Sequence, residues 1–145
     1  MRAKNYFYEI YKLEQKIESK ILIAQTYRNL ATSTSSPVLD DMPKNPNRNI
    51  SKMADALAKA LTIENEILDL KEELRIKNIE AIKVIESIKV MEYQNILLKR
   101  YFEKKDWNQI IDEMHYSRSG IFKLHSKALE SFKNNLKRVD LSRLE

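Results

Sequence analysis

Apolar residues near the N-terminus recur at intervals of three and four. Over residues 2–31 this spacing places one apolar stripe along a helix. The stripe consists of Tyr6, Ile10, Leu13, Ile17, Ile21 and Ala24. The following stretch, residues 31–50, contains all three prolines of the chain among Ser, Thr, Asn and Asp residues, a composition that breaks both helix and strand periodicity. We therefore predict a first helix over residues 2–31 and a linker over residues 32–50.

A second apolar stripe follows Ser51, which we expect to cap a long helix. No helix-breaking residue interrupts residues 52–89. The stripe comprises Met53, Leu57, Ala60, Ile63, Ile67, Leu70, Leu74, Ile79, Ile82, Ile85 and Ile88. A helix of about 35 residues is roughly 50 Å long, too long for a small core. We expect it to pack antiparallel along the first helix, along a second copy of the chain, or along both.

The stretch over residues 90–137 predicts three shorter helices. The first covers residues 91–103. Asp106, followed three residues later by Gln109, has the form of a capping box and opens a short helix. Trp107, next to this cap, is expected to be a buried anchor, and Ser117 is expected to cap a longer helix. On that helix we expect the inward-facing residues to be Ile121, Leu124, Ala128 and Leu129. A short helix, a brief turn and a longer helix form the helix-turn-helix pattern, whose second helix enters the DNA major groove.

Composition supports an all-α fold, because the 145 residues include one glycine and three prolines. We predict a long antiparallel helical hairpin over residues 1–87 that also oligomerises, a helix-turn-helix unit over residues 88–138 and a tail over residues 139–145. The chain has no cysteine, which excludes disulfides and thiolate zinc sites and fits a reducing compartment. No apolar run approaches the roughly 20 residues that span a bilayer. We expect a cytoplasmic protein without a membrane partner.

The net charge of +5 is distributed unevenly. Residues 114–138 contain six basic residues and a single acid, Glu130, whereas residues 51–87 contain six basic and eight acidic residues. Positive charge is therefore concentrated on the second helix of the predicted helix-turn-helix. Such a concentration is typical of a phosphate-binding surface, and a solvated basic helix face is the alternative interpretation.

The residues argue against catalysis. The two histidines, His115 and His125, are not accompanied by an Asp or Cys frame that would suggest a metal site or a nucleophile activated by a base. One glycine leaves no phosphate-cradling loop. The carboxylates of the long helix have the spacing of solvating charges. We expect no enzymatic activity, no metal and no cofactor.

Four short motifs between residues 98 and 129 resemble region 4 of bacterial sigma-70 factors. They are Leu98-x-x-Tyr101, Trp107-x-x-Ile110-Ile111, Met114-x-Tyr116-Ser117 and Ile121-x-x-Leu124-His125-x-x-Ala128-Leu129. The whole chain resembles a family of short proteins encoded by phages of Gram-positive bacteria, the sigma-70 region 4-like late regulators of the RinA and ArpU kind. This resemblance implies sequence-specific binding of double-stranded DNA in the host bacterial cytoplasm, and activation of phage late or packaging genes.

Candidate DNA-binding residues follow from helical position and from the resemblance. The residues just after the Ser117 cap and one turn later face the groove in such a helix, and the match to region 4 implies that Arg118 and Lys123 read base edges or adjoining phosphates. Gly120 either allows close approach to phosphate or is neutral. Four basic residues upstream either clamp phosphate across the groove or form a solvated face. The full candidate set is Arg118, Ser119, Gly120, Phe122, Lys123, Ser126, Lys127, Lys99, Arg100, Lys104 and Lys105.

Two other functions fit the same pattern. One is a helical DNA-packaging protein of the small-terminase kind, and the other is an interaction module that binds host RNA polymerase, as region 4 itself does. The long helix favours self-association, and for a regulator we expect a homodimer. Stoichiometry separates it from a packaging protein, which would assemble a ring of roughly eight or more copies.

Overall fold

The computed structural model describes residues 3–32 and 46–143. These residues form five α-helices and one π-helical turn and contain no strand, which confirms the all-α prediction. The elements are α1 (Ala3–Thr32), α2 (Pro46–Glu86), α3 (Met91–Leu97), a π-helical turn (Leu98–Phe102), α4 (Trp107–Met114) and α5 (Arg118–Arg143). No helix in this part of the chain has an apolar stretch long enough to cross a membrane.

The start of α2 differs from the prediction. The helix begins at Pro46, so Ser51 lies inside it and is not its cap. Proline suits the first helical position, because its ring holds φ near the helical value and the N–H that it lacks has no partner there. Residues 32 and 46–50 of the predicted linker are therefore helical, and its residues 33–45 lie outside the described part of the chain. The predicted tail is also shorter, since α5 extends to Arg143.

Residues Lys12–Arg75 form one compact unit, in which α1 and α2 pair antiparallel as predicted. Positions late in α1 contact positions early in α2: Lys20 bonds Glu66 at 2.6 Å, and Arg28 bonds Glu64 at 2.6 Å. Beneath these ion pairs lies a small apolar cluster, which contains Leu13, Ile17, Ala24 and Ile67. Exposed ion pairs contribute little to stability, so the apolar cluster is the main attachment between the helices.

The other unit contains the described residues of Met1–Tyr11 and Ile76–Glu145. The start of α1 and the end of α2 therefore pack with α3, α4 and α5, and the packing does not divide at the predicted boundary between residues 87 and 88. Aromatic side chains of α1 and α5 make this contact. Phe132 of α5 is fully buried, with its ring centroid 5.4 Å from that of Tyr6 and 4.7 Å from that of Phe7. Phe7 in turn stacks on Tyr101, with centroids 4.0 Å apart and planes 6° from parallel.

This aromatic contact predicts a large effect of one substitution. Phe7→Ala is expected to lower the free energy of unfolding by about 3–5 kcal/mol, because the removed ring leaves a cavity against Tyr101 and Phe132. The measurement is urea unfolding followed by the fluorescence of Trp107, the only tryptophan of the chain. Tyr11→Ala, at a position that is 50% exposed, is the matched control and should cost less than about 1 kcal/mol. Equal losses for the two variants would contradict the assigned role of Phe7.

Candidate nucleic-acid interface

Helix α4 begins at a capping box and ends at a residue with a left-handed backbone. At its start Asp106 accepts a hydrogen bond from the Gln109 backbone N–H at 2.8 Å, while the Gln109 side chain accepts one from the Asp106 N–H at 3.1 Å. This is the predicted capping box, which satisfies two N–H groups that a helix start leaves without partners. At its end His115 adopts a left-handed conformation with φ of 58°, which ends the helix and turns the chain.

Ser117 caps α5, as predicted. Its Oγ accepts a hydrogen bond from the Gly120 N–H at 3.1 Å, and its carbonyl accepts from the Ile121 N–H at 2.8 Å. Tyr116, one residue earlier, donates its hydroxyl to Glu92 of α3 at 2.6 Å. In the turn between α4 and α5, Ser117 is thus held to α5 and Tyr116 to α3.

The structure supplies a local reason for Gly120. A Cβ at this position would lie 2.9 Å from Ser117 Oγ and 3.4 Å from Tyr116 Cδ1. The first distance is shorter than real Cβ contacts, so any larger residue would push the cap aside. Glycine at position 120 therefore permits the tight turn, whatever its relation to a ligand.

Helix α5 has a buried face and an exposed face. Ile121, Leu124 and Ala128 are buried, as predicted, and Leu129 is partly exposed. The buried face continues through His125, Phe132 and Leu136. The exposed face carries the candidate residues Arg118, Ser119, Phe122, Lys123, Ser126 and Lys127, whereas Gly120 is partly buried.

Arg118 extends from α5 toward α4. Its Nη1 donates to Asn108 Oδ1 at 3.2 Å, and its guanidinium lies 5.8 Å from the ring centroid of Phe122. Both contacts are on the protein surface, so the side chain is oriented along the exposed face without being buried.

Of the four upstream basic residues, two are held by one carboxylate. Lys99 and Lys105 bond Glu113 of α4 at 2.8 and 2.7 Å, and Lys105 also bonds Glu103 at 2.8 Å. The hydrogen bonds from Lys105 and Lys99 lower the pKa of Glu113, so the carboxylate stays charged and offsets their charge. These lysines tie α4 to the π-helical turn, which weakens their candidacy as a phosphate clamp.

Arg100 is also engaged within the protein. Its Nη1 donates to the Lys105 carbonyl at 3.1 Å, and its guanidinium lies 4.6 Å from the centroid of the Trp107 ring, a cation–π contact. Lys104 is exposed and has a left-handed backbone with φ of 58°. Lys99, Arg100 and Lys105 therefore make contacts within the protein around the turn before α4.

Trp107 is only partly buried, so it is not the buried anchor that the sequence predicted. Its ring makes edge-on contacts with Phe122 at 5.1 Å and with His125 at 4.8 Å between centroids. The remaining surface of the indole faces an open cavity that it lines with Phe7, Tyr101 and Phe122. Trp107 joins α4 to α5 while leaving part of its own ring accessible.

A comparison of the sequence with known protein families gives a match. A family model described as a protein of unknown function (DUF1492) matches residues 33–133, more than half of the chain. The chain belongs to the DUF1492 family. No curated protein and no solved structure matches it. The matched segment of this DUF1492 protein includes α2, α3, α4 and α5 as far as residue 133.

Tyr101, which is partly buried, and His125, which is buried, form a polar pair that the sequence did not predict. Tyr101 Oη and His125 Nε2 share a hydrogen bond of 2.8 Å. Burial, with the positive charges of Lys4 and Arg100, lowers the pKa of His125 to about 4, and burial raises the pKa of Tyr101 to about 12. Both side chains are therefore neutral near pH 7, and the pair satisfies polar atoms inside the unit.

Two aromatic residues on the exposed side of α1 were also missed. Tyr8 and Tyr11 are half-exposed and stack at 6.3 Å between centroids. Both lie outside the apolar stripe of α1. Their position could have indicated a second surface, because large apolar side chains outside a buried stripe are exposed and can mark a binding site.

The Ser117 cap and Gly120 predict a coupled effect on stability. Ser117→Ala should lower the free energy of unfolding of the DUF1492 protein by about 1 kcal/mol. Gly120→Ala should stabilise by up to about 1 kcal/mol through helix propensity, but only in the Ser117→Ala background, where the collision with Oγ is removed. Urea unfolding of the four proteins of this double-mutant cycle measures the coupling. The same stabilisation by Gly120→Ala in both backgrounds would contradict the steric explanation.

Proposed function

We propose that this protein is a sequence-specific DNA-binding transcriptional regulator that inserts α5 into the major groove of double-stranded DNA. The observation that supports this most strongly is the arrangement of α4, a three-residue turn and α5, with the α5 face beside the cap left exposed. An eight-residue helix followed by a longer basic helix is the helix-turn-helix pattern.

The exposed face of α5 has suitable chemistry for this role. No carboxylate occurs between Arg118 and Lys127, and the outward side chains in this stretch combine basic, hydroxyl and aromatic groups. At about 1.5 Å per residue the stretch is comparable with the roughly 12 Å width of the major groove. The free N–H groups of a helix start also favour nearby phosphate.

The biological setting comes from the resemblance to phage late regulators. We infer that the regulated genes are phage late or packaging genes and that the protein acts in the cytoplasm of the host bacterium. The support is the set of motifs between residues 98 and 129, whose cap and turn residues adopt the local geometry on which a helix-turn-helix depends.

The homodimer is proposed on a second apolar face of α2. Five large apolar residues at helical spacing are 40–64% exposed within the unit Lys12–Arg75: Ile50, Met53, Leu57, Leu61 and Leu68. They are distinct from Ala60 and Ile67, which are buried in the same helix. A contiguous exposed apolar row marks an interaction surface.

The charge distribution along α2 favours a second copy as the occupant of this face. Residues 48–59 contain three basic residues and one acid. Residues 64–73 contain one lysine and five acids, of which Glu64 and Glu66 also pair with α1 of the same chain. Antiparallel two-fold pairing of α2 with α2 brings the basic part of one copy beside the acidic part of the other. A dimer also carries two copies of α5, which suits a DNA site built of two half-sites.

DNA binding is tested with a duplex selected by the full-length protein from a random pool. Fluorescence anisotropy then compares the selected duplex with a scrambled one at several salt concentrations. Arg118→Ala should lower the ratio of selected to scrambled affinity, corresponding to about 1–3 kcal/mol, because arginine bonds guanine with two donors. Lys123→Ala should weaken both duplexes alike and reduce the salt slope by about one unit.

Lys71→Ala removes an exposed positive charge from α2 and is the control, expected to bind as the parent does. If the selection enriches no sequence, or if Arg118→Ala binds both duplexes as the parent does, the proposal fails. The unit is then better explained as a protein-binding module, for which RNA polymerase is the first candidate.

The dimer is tested by sedimentation velocity without DNA. The double variant Leu57→Lys and Leu61→Lys should sediment as the 17.2 kDa monomer, because four lysines would meet across the paired helices, whereas the parent should sediment as a dimer. The control is Leu22→Lys and Leu30→Lys, two exposed positions of α1, which should leave the dimer intact. A monomeric parent would refute the dimer, and dissociation by the α1 variant alone would place the interface elsewhere.

A further inference from the structure

The unit that contains α3, α4 and α5 has a cavity of about 560 Å³ with an unusual concentration of aromatic side chains. The chain has seven tyrosines, four phenylalanines and one tryptophan, and more than half of them line this one cavity. Its volume lies within the range of roughly 300–1,000 Å³ that is usual for small-molecule sites.

The aromatic walls retain exposed surface that a ligand would cover. Tyr8 is 55% exposed, Tyr11 is 50% exposed and Phe122 is 39% exposed, although all three line the cavity. Trp107 presents the part of its ring that Phe122 and His125 do not cover. Flat rings of this kind are best covered by another flat ring, because aromatic pairs gain from stacked or edge-on contact beyond their buried area.

The charge of the lining has one sign. Lys4, Arg100 and Lys104 contribute to the lining, and none of the described lining residues is an Asp or Glu. The positive potential acts inside the protein as well, since Lys4 and Arg100 help to lower the pKa of His125. Arg100 uses one of its donors on the Lys105 carbonyl and has others for an anion, because a guanidinium carries five N–H groups.

We propose that this cavity binds a small planar aromatic anion, with its ring against Trp107 and the tyrosines and its acidic group near Lys4, Arg100 and Lys104. The aromatic lining selects the flat ring, and the cationic lining without a carboxylate selects the negative charge. A cavity of about 560 Å³ accommodates a ligand of two or three fused or linked rings. The lining shares Arg100, Lys104 and Phe122 with the candidate DNA-binding residues. Its test therefore uses the full-length protein without DNA, so that a failure of DNA binding does not decide the outcome.

Two fluorescent probes that differ in one acidic group test the role of the negative charge separately from that of the aromatic ring. The probe 1-anilinonaphthalene-8-sulfonate is an aromatic anion, and N-phenyl-1-naphthylamine is its neutral counterpart. The anionic probe should bind saturably with one site per chain, and energy transfer from Trp107 should report its proximity, since no other tryptophan is present. The double variant Lys4→Gln and Lys104→Gln should weaken the anionic probe about tenfold and leave the neutral probe nearly unchanged.

The control variant Lys59→Gln and Lys71→Gln removes the same charge from α2 and should bind both probes as the parent does. Competition tests the requirement for a flat ring: naphthalene-1-sulfonate should displace the anionic probe at a far lower concentration than cyclohexanesulfonate. Thermal melts followed by circular dichroism establish that each variant is folded. The proposal is overturned if binding does not saturate, if the two double variants weaken the anionic probe equally, or if the two competitors are equivalent.

Discussion

The contact of Phe132 with Tyr6 and Phe7 is the interaction on which the geometry of the C-terminal unit depends. Phe132 lies on the same face of α5 as Ile121, Leu124 and Ala128, so burying it against the start of α1 determines which face of α5 is inside. The opposite face, which carries Arg118 and Lys123, is consequently exposed. An aromatic side chain buries a large apolar area, and three of them together hold the rotation of α5 about its axis.

The caps on either side of the turn between α4 and α5 fix where the exposed face of α5 begins. The Asp106 capping box sets the start of α4, and the Ser117 cap sets the start of α5. Glu113 holds Lys99 and Lys105 against α4, so the positive charge of that region is partly compensated, while the charges at Arg118 and Lys123 remain on the exposed face. Helix α5 thereby presents basic side chains on the face that a groove-binding helix would turn toward DNA.

Local signals allowed much of this fold to be predicted. Capping residues act over three positions, so the Asp106 and Ser117 caps could be recognised without tertiary information, and the apolar spacing identified the buried face of α5. The pairing of Phe7 with Tyr101 could not be predicted, because periodicity indicates that a residue is buried and says nothing about its partner. For the same reason Trp107 was expected to be a buried anchor, although the cavity beside it leaves part of its ring accessible. The start of α2 was also predicted incorrectly. Both Ser51 and Pro46 are residues typical of a helix start, and the helix begins at Pro46, five residues before Ser51.

The central claim is that the exposed face of α5 contacts DNA. The most direct measurement is nuclear magnetic resonance of the labelled full-length protein, titrated with a duplex selected from a random pool. The account predicts that the largest shifts of backbone amide signals occur over residues 118–127 and in the turn before them, with small changes over residues 51–75 of α2. Shifts concentrated on α2, or spread evenly over the chain without a maximum on α5, would contradict it.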